Sequence, residues 1–141
     1  MIKQLSIFVE NEVGSLKRIT GVLKENDINI RAVSAFDSPD YGIMRVVVDN
    51  PGKAKQILTE QGFAVTITQV LAVELNDEPG ALDDLLNILA EANLNLKYIY
   101  SFVIRTDNAP LMVFNIDNMA KAAEILRAHG LKVVGEAELH S

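Results

Sequence analysis

Apolar and polar residues alternate at the start of the chain. Leu5, Ile7 and Val9 share one parity, and Gln4, Ser6, Phe8 and Glu10 the other, the pattern of a strand with one buried face. From Leu16 the period lengthens. Leu16, Ile19, Val22 and Leu23 recur at helical spacing, with Lys17, Arg18, Lys24 and Glu25 facing outward. Asn26-Asp27 ends this helix, and Ile28-Asn29-Ile30 begins a second strand reaching about Asp37. Ser38-Pro39-Asp40-Tyr41-Gly42 is a turn by composition. Met44, Val46 and Val48 mark the inner face of a third strand. Pro51 stands near the start of a second helix carrying Ala54, Ile57 and Leu58, which Gly62 closes. Phe63, Val65 and Ile67 begin a fourth strand. The predicted order is β-α-β-β-α-β.

The pattern then restarts. Leu71, Val73 and Leu75 repeat the first strand, and Leu82, Leu85, Leu86 and Leu89 repeat the first helix. Gly80 follows Gly14 by 66 residues (80 − 14), as Asn95 follows Asn29 (95 − 29). The offset then becomes 68 for Met112 after Met44 and for Gly130 after Gly62. The two added residues fall in the Arg105–Pro110 loop, where insertion costs little. Asp49-Asn50 returns as Asp117-Asn118, and Ile57-Leu58 as Ile125-Leu126. The chain therefore reads as an internal duplication, residues 1–69 and 70–141. No Pro/Gly/Ser-rich linker separates the halves near Gln69–Val70, so they are expected to pack as a rigid pair. The fold class is α+β: two ferredoxin-like repeats, each an antiparallel four-stranded sheet with its helices on one face. Side-by-side pairing of the sheets would cover two exposed edges.

Composition narrows the function. No apolar run approaches the roughly 20 residues of a membrane span, and Met1-Ile2-Lys3 enters strand alternation without a signal-peptide pattern. A chain without cysteine has no disulfide framework or thiolate chemistry, which fits a cytoplasmic protein. The net charge of −6 lies in the second half: residues 1–70 carry 8 basic and 8 acidic side chains, residues 71–141 carry 5 and 11. An acidic chain without a basic stripe is a poor nucleic-acid binder. With two histidines, no cysteine and no P-loop or Ser/His/Asp constellation, no cofactor, metal site or catalytic apparatus is visible, and no enzyme is expected.

Candidate chemistry sits in the stretch that occurs twice, Glu10-Asn11-Glu12-Val13-Gly14-Ser15-Leu16 and Asn76-Asp77-Glu78-Pro79-Gly80-Ala81-Leu82. Each copy leads a strand into a helix, whose first N–H groups and positive dipole end suit a carboxylate. Asn11 or Asp77, across the same turn, would take an ammonium group. Donors and an acceptor this close suit a free α-amino acid. Capping and tight turning alone would also place Asn, Asp and Gly here. Asparagine is poor in strands, so Asn29 and Asn95 at both second-strand starts ask for a reason, and turn chemistry at the helix exit is the alternative to binding.

These turns, followed by hydrophobic-Asn-hydrophobic strand starts within β-α-β-β-α-β, resemble the ACT domain, and the whole chain resembles the stand-alone tandem-ACT proteins. The resemblance implies a non-catalytic regulatory protein that binds a free amino acid where the repeats meet. The implied turn residues are Asn11, Val13, Gly14, Ser15 and Leu16, with Asp77, Pro79, Gly80, Ala81 and Leu82. The implied strand residues are Asn29 and Ile30, with Asn95 and Leu96. Val9 and Leu75 depart from the polar residue that some amino-acid-regulated members carry two positions before Asn11 or Asp77. Assembly as a homodimer and docking on an amino-acid-metabolism enzyme stay open as partners; nucleic acid and membrane are not expected.

Three further features are weighed as ordinary structure. Tyr98 and Tyr100 share parity with Leu96 and Phe102 and read as a core face. Asp83-Asp84 read as a solvated face complementing a helix dipole, and His129 suits the last turn of a helix. Glu136, Glu138 and His140 alternate along a predicted strand, and one strand face seldom closes a metal shell.

Overall fold

The computed structural model describes residues 1–10, 12–37, 41–102 and 109–136. Asn11, most of the Ser38–Gly42 turn, most of the Arg105–Pro110 loop, Glu138 and His140 lie outside the described residues. The chain forms two compact units: Lys3–Thr68, and Met1–Ile2 with Gln69–Ser141. Among the described residues there are seven strands and four helices in an α+β arrangement of two ferredoxin-like repeats.

The first unit contains β1 (Ile2–Val9, from Lys3), α1 (Ser15–Glu25), β2 (Ile30–Asp37), β3 (Gly42–Val48), α2 (Pro51–Glu60) and the start of β4 (Ala64–Glu74). Its strand order is β2-β3-β1-β4, with β1 and β2 both antiparallel to β3. Leu5 and Ile7 from β1 and Met44, Val46 and Val48 from β3 form one apolar face. Ile19 and Leu23 of α1 and Ala54 and Leu58 of α2 pack onto it. Helix period and strand period meet here, and both helices lie on one side.

The second unit repeats the plan with the end of β4, α3 (Ala81–Glu91), β5 (Leu96–Ser101), β6 (Leu111–Ile116), α4 (Met119–Ala128) and β7 (Lys132–Val134). β6 pairs β5 and β4, and β4 also pairs β7, all antiparallel. Leu71, Val73, Phe114 and Ile116 meet Leu85 and Leu89 of α3 and Ala122, Ala123 and Leu126 of α4.

Several details depart from the sequence reading. Two expected strands, from Phe63 and from Leu71, are one uninterrupted strand, β4. β2 begins at Ile30 and not Ile28, because α1 ends in a left-handed Asp27 (φ 58°). β1 is not buried on one face only, since Gln4 is fully buried as well. β5 shifts register between Leu96 and Tyr98. That bulge inverts the alternation, so Leu96 and Ile99 pack on the core cluster. Tyr98 and Tyr100 lie instead on the opposite face from Leu96, beside Asn115 and Val113. Tyr100 is buried there and Tyr98 half-buried, so the shared face with Leu96 is corrected while the burial of Tyr100 is as expected. There the two rings stack with centroids 6.4 Å apart, and Asn115 Nδ2 donates to the Tyr98 hydroxyl at 3.3 Å. β7 ends at Val134, so Glu136 is not on a strand face.

Candidate functional site

The turn before α1 is built from three hydrogen bonds. Glu12 N–H donates to the Glu10 carbonyl (2.9 Å), Ser15 N–H to the Glu12 carbonyl (3.3 Å), and Arg18 N–H to the Gly14 carbonyl (3.0 Å). Gly14 stands at φ 85°, ψ 1°, the third position of a type II turn, which requires positive φ. The second repeat reproduces it: Glu78 N–H to Asn76 (2.9 Å), Ala81 N–H to Glu78 (3.3 Å), Asp84 N–H to Gly80 (2.9 Å). Gly80 has φ 89°, ψ −6°, and Pro79 occupies the second turn position that proline favours.

These glycines, and not Asn or Asp, are the N-cap residues, and among the described residues no side chain caps either helix. The capping alternative therefore fails for Asp77, which stands three residues before the cap. Both glycines are exposed, and the space a Cβ would enter is open, so a ligand atom has access to the helix start. The buried Ser15 donates its hydroxyl to the Glu10 carbonyl at 2.6 Å, tying the end of β1 to the helix. Ala81 cannot make that bond. Arg18 holds Glu12 at 3.2 Å, an exposed pair contributing at most about 1 kcal/mol. Asp83 and Asp84 occupy the first turn of α3, while α1 has no acidic residue there.

In the first unit a cavity of about 250 Å³ opens at this turn, lined by Val9, Glu10, Glu12, Ser15, Leu16, Ala35, Phe36, Gly42 and Ile43. Of the expected turn residues, Ser15 and Leu16 border it, and Val13 projects fully into solvent at the turn's tip. Asn29 and Ile30 line a different, open groove of about 530 Å³ with Thr20, Leu23, Lys24, Asp27, Ile28 and Asp49. The two elements of the expected site thus occupy separate cavities in the first repeat.

Asn29 is fixed through its backbone: its N–H donates to Asp49 Oδ1 (3.1 Å) and its carbonyl accepts from Asp49 N–H (3.2 Å). Asn95 likewise accepts from Asp117 N–H (3.2 Å), and Lys97 Nζ reaches Asp117 at 3.4 Å. The left-handed exit positions are Asp27 and Asn93, not Asn29 and Asn95, so helix-exit turn chemistry does not account for the two strand-start asparagines. Both are exposed. Sequence reasoning did not assign Glu10, Ala35, Phe36, Gly42 or Ile43 to the cavity. Asp49 was readable as a recurring residue, since Asp49-Asn50 returns as Asp117-Asn118.

The family model of the ACT domain pair matches residues 1–141. The chain belongs to that family. Protein BT0572 from Bacteroides thetaiotaomicron is similar in structure, with TM-score 0.90 and 34% identity over 99% of this chain and 96% of that one. The regulatory subunits of aspartate kinase from Thermus thermophilus and Thermus flavus share the fold. The first has TM-score 0.69 at 15% identity, covering 91% of this chain and 90% of its own. The second has 0.64 at 18%, covering 89% and 88%. No curated protein matches the chain. Among the described residues of this ACT domain pair, no helix is long and apolar enough to cross a membrane.

Proposed function

We propose that this ACT domain pair is a non-catalytic regulatory protein that binds a free α-amino acid at its strand-to-helix turns. The observation that carries the reading is a helix start capped by glycine and open to solvent, facing a small cavity with acidic and apolar walls. The first N–H groups of α1 accept the ligand's carboxylate, and a carboxylate or amide of the turn takes its ammonium. The turn and Asn29 of the first repeat line different cavities, and the reading rests on the turn.

A helix terminus contributes about 0.3–1 kcal/mol to a bound anion, and hydrogen bonds to charged groups about 1.5–3 kcal/mol each. Three or four such contacts, less the cost of immobilisation, give micromolar to low millimolar affinity, the range of a metabolite sensor. Thermal unfolding against each of the twenty amino acids at millimolar concentration tests this. A ligand at about 100 times its Kd stabilises by about 2.7 kcal/mol, which raises Tm by roughly 5–10 °C at this size. The rise is expected with one or a few amino acids. A flat response to all twenty contradicts the proposal.

A second reading is a regulatory subunit that docks on an enzyme of amino-acid metabolism, with ligand binding lost. Its support is the fold shared with the aspartate kinase regulatory subunits of two Thermus species. Co-purification with such an enzyme, together with the flat thermal response, would favour it.

A further inference from the structure

We infer that the amino acid this chain takes has an uncharged, apolar side chain, and that the first repeat alone holds it; this rests on the amino-acid-binding reading above. At about 250 Å³ the turn cavity is smaller than pockets that take drug-sized ligands, and it suits a metabolite. Its walls are sorted. Val9, Leu16, Ala35, Phe36 and Ile43 supply apolar surface, and Gly42 adds none that is polar on a side chain. The polar end is Glu10, Glu12 and Ser15, next to the start of α1. Arg18 engages Glu12, and the Ser15 hydroxyl is given to the Glu10 carbonyl. Glu10 is left as the acid for the α-ammonium, with the helix start for the carboxylate. Among the described residues no further polar side chain lines the cavity to satisfy a charged or hydrogen-bonding ligand side chain, which would be desolvated at a loss.

The second repeat uses the matching positions for packing. Val9 is half-buried beside the cavity, whereas its counterpart Leu75, one methylene larger, is 6% exposed and belongs to the core. Ile43 is half-buried, and its counterpart Leu111 is 1% exposed. Gly42 of the cavity lining is matched by Pro110, whose carbonyl accepts from Leu75 N–H at 2.8 Å. Electrostatics agrees by a separate route. Asp83 and Asp84 in the first turn of α3 already complement its dipole and repel an incoming carboxylate, while the first turn of α1 carries Lys17 and Arg18.

Leu16 and Leu82 make a matched test, being equivalent in the two repeats and 41% and 42% exposed, so truncating either leaves the core untouched. Isothermal titration of the full chain with leucine, methionine, phenylalanine, lysine and glutamate is expected to show one ligand per chain and tightest binding for an apolar one. Leu16→Ala is expected to weaken it about tenfold, and Leu82→Ala to leave it unchanged. Binding of lysine or glutamate as tight as any apolar amino acid overturns the ligand class while leaving the amino-acid reading intact. Two ligands per chain, or a loss in Leu82→Ala instead of Leu16→Ala, overturns the assignment to the first repeat. No heat with any of the five, with a flat thermal response to all twenty, overturns both.

Discussion

Gly14 and Gly80 are the residues on which each repeat's strand-to-helix turn depends, and the reason is conformational. Each holds the positive-φ position of a type II turn while capping a helix with no side chain in the way. An alanine at Gly14 meets no neighbour, so its cost is the left-handed backbone alone, about 1–2 kcal/mol. Urea unfolding of Gly14→Ala should show that loss, and an unchanged midpoint would mean the turn relaxes to another type. The two repeats differ at the preceding position, Val13 against Pro79. Val13→Pro should stabilise the first turn by about 0.4–1 kcal/mol through the unfolded chain, read by the same unfolding curve. The glycines and the hydrophobic periods around them were legible in the sequence. The Ser15–Glu10 bond was not, because a hydroxyl-to-carbonyl contact five residues apart leaves no periodic trace.

At the scale of elements, the helix ends were the most readable feature. All four helices stop on a left-handed residue: Asp27, Gly62, Asn93 and Gly130. In each, the next N–H reaches back to the helix, as Ile28 does to Leu23 (2.9 Å) and Leu94 to Leu89 (3.1 Å), the pattern of a Schellman motif. The recurring Asp-Asn pairs are explained too. Asn50 and Asn118 cap α2 and α4 through Lys53 N–H and Lys121 N–H, both at 3.3 Å. Asn118→Ala should therefore cost about 1 kcal/mol, measured as a lowered unfolding midpoint. No change would show that the cap is dispensable. The parity of β5 and the continuity of β4 were not legible. A bulge inserts one residue without any compositional mark, and a strand shared by consecutive repeats looks, in sequence, like two strands in a row.

For the whole molecule, the duplication was written plainly in the offsets of Gly80 from Gly14 and Asn95 from Asn29, because turn glycines and strand-start residues keep their spacing when surfaces drift. The inequality of the two repeats was harder to read. Substitutions such as Val9 against Leu75 and Ile43 against Leu111 are visible in the sequence, but only the packing shows that the first set borders a cavity and the second is buried. The charge excess of the second half acquires a local meaning through Asp83 and Asp84 at the start of α3.

The central claim is that the open start of α1 binds the carboxylate of an amino acid. The most direct measurement is a titration of the ¹⁵N-labelled protein, followed by amide NMR, with the amino acid that most raises its Tm. The account predicts that the Leu16 and Lys17 amide signals move saturably, with one dissociation constant shared by the residues lining the first-repeat cavity. Saturable shifts confined to other regions, with the α1 amides unmoved, would contradict it.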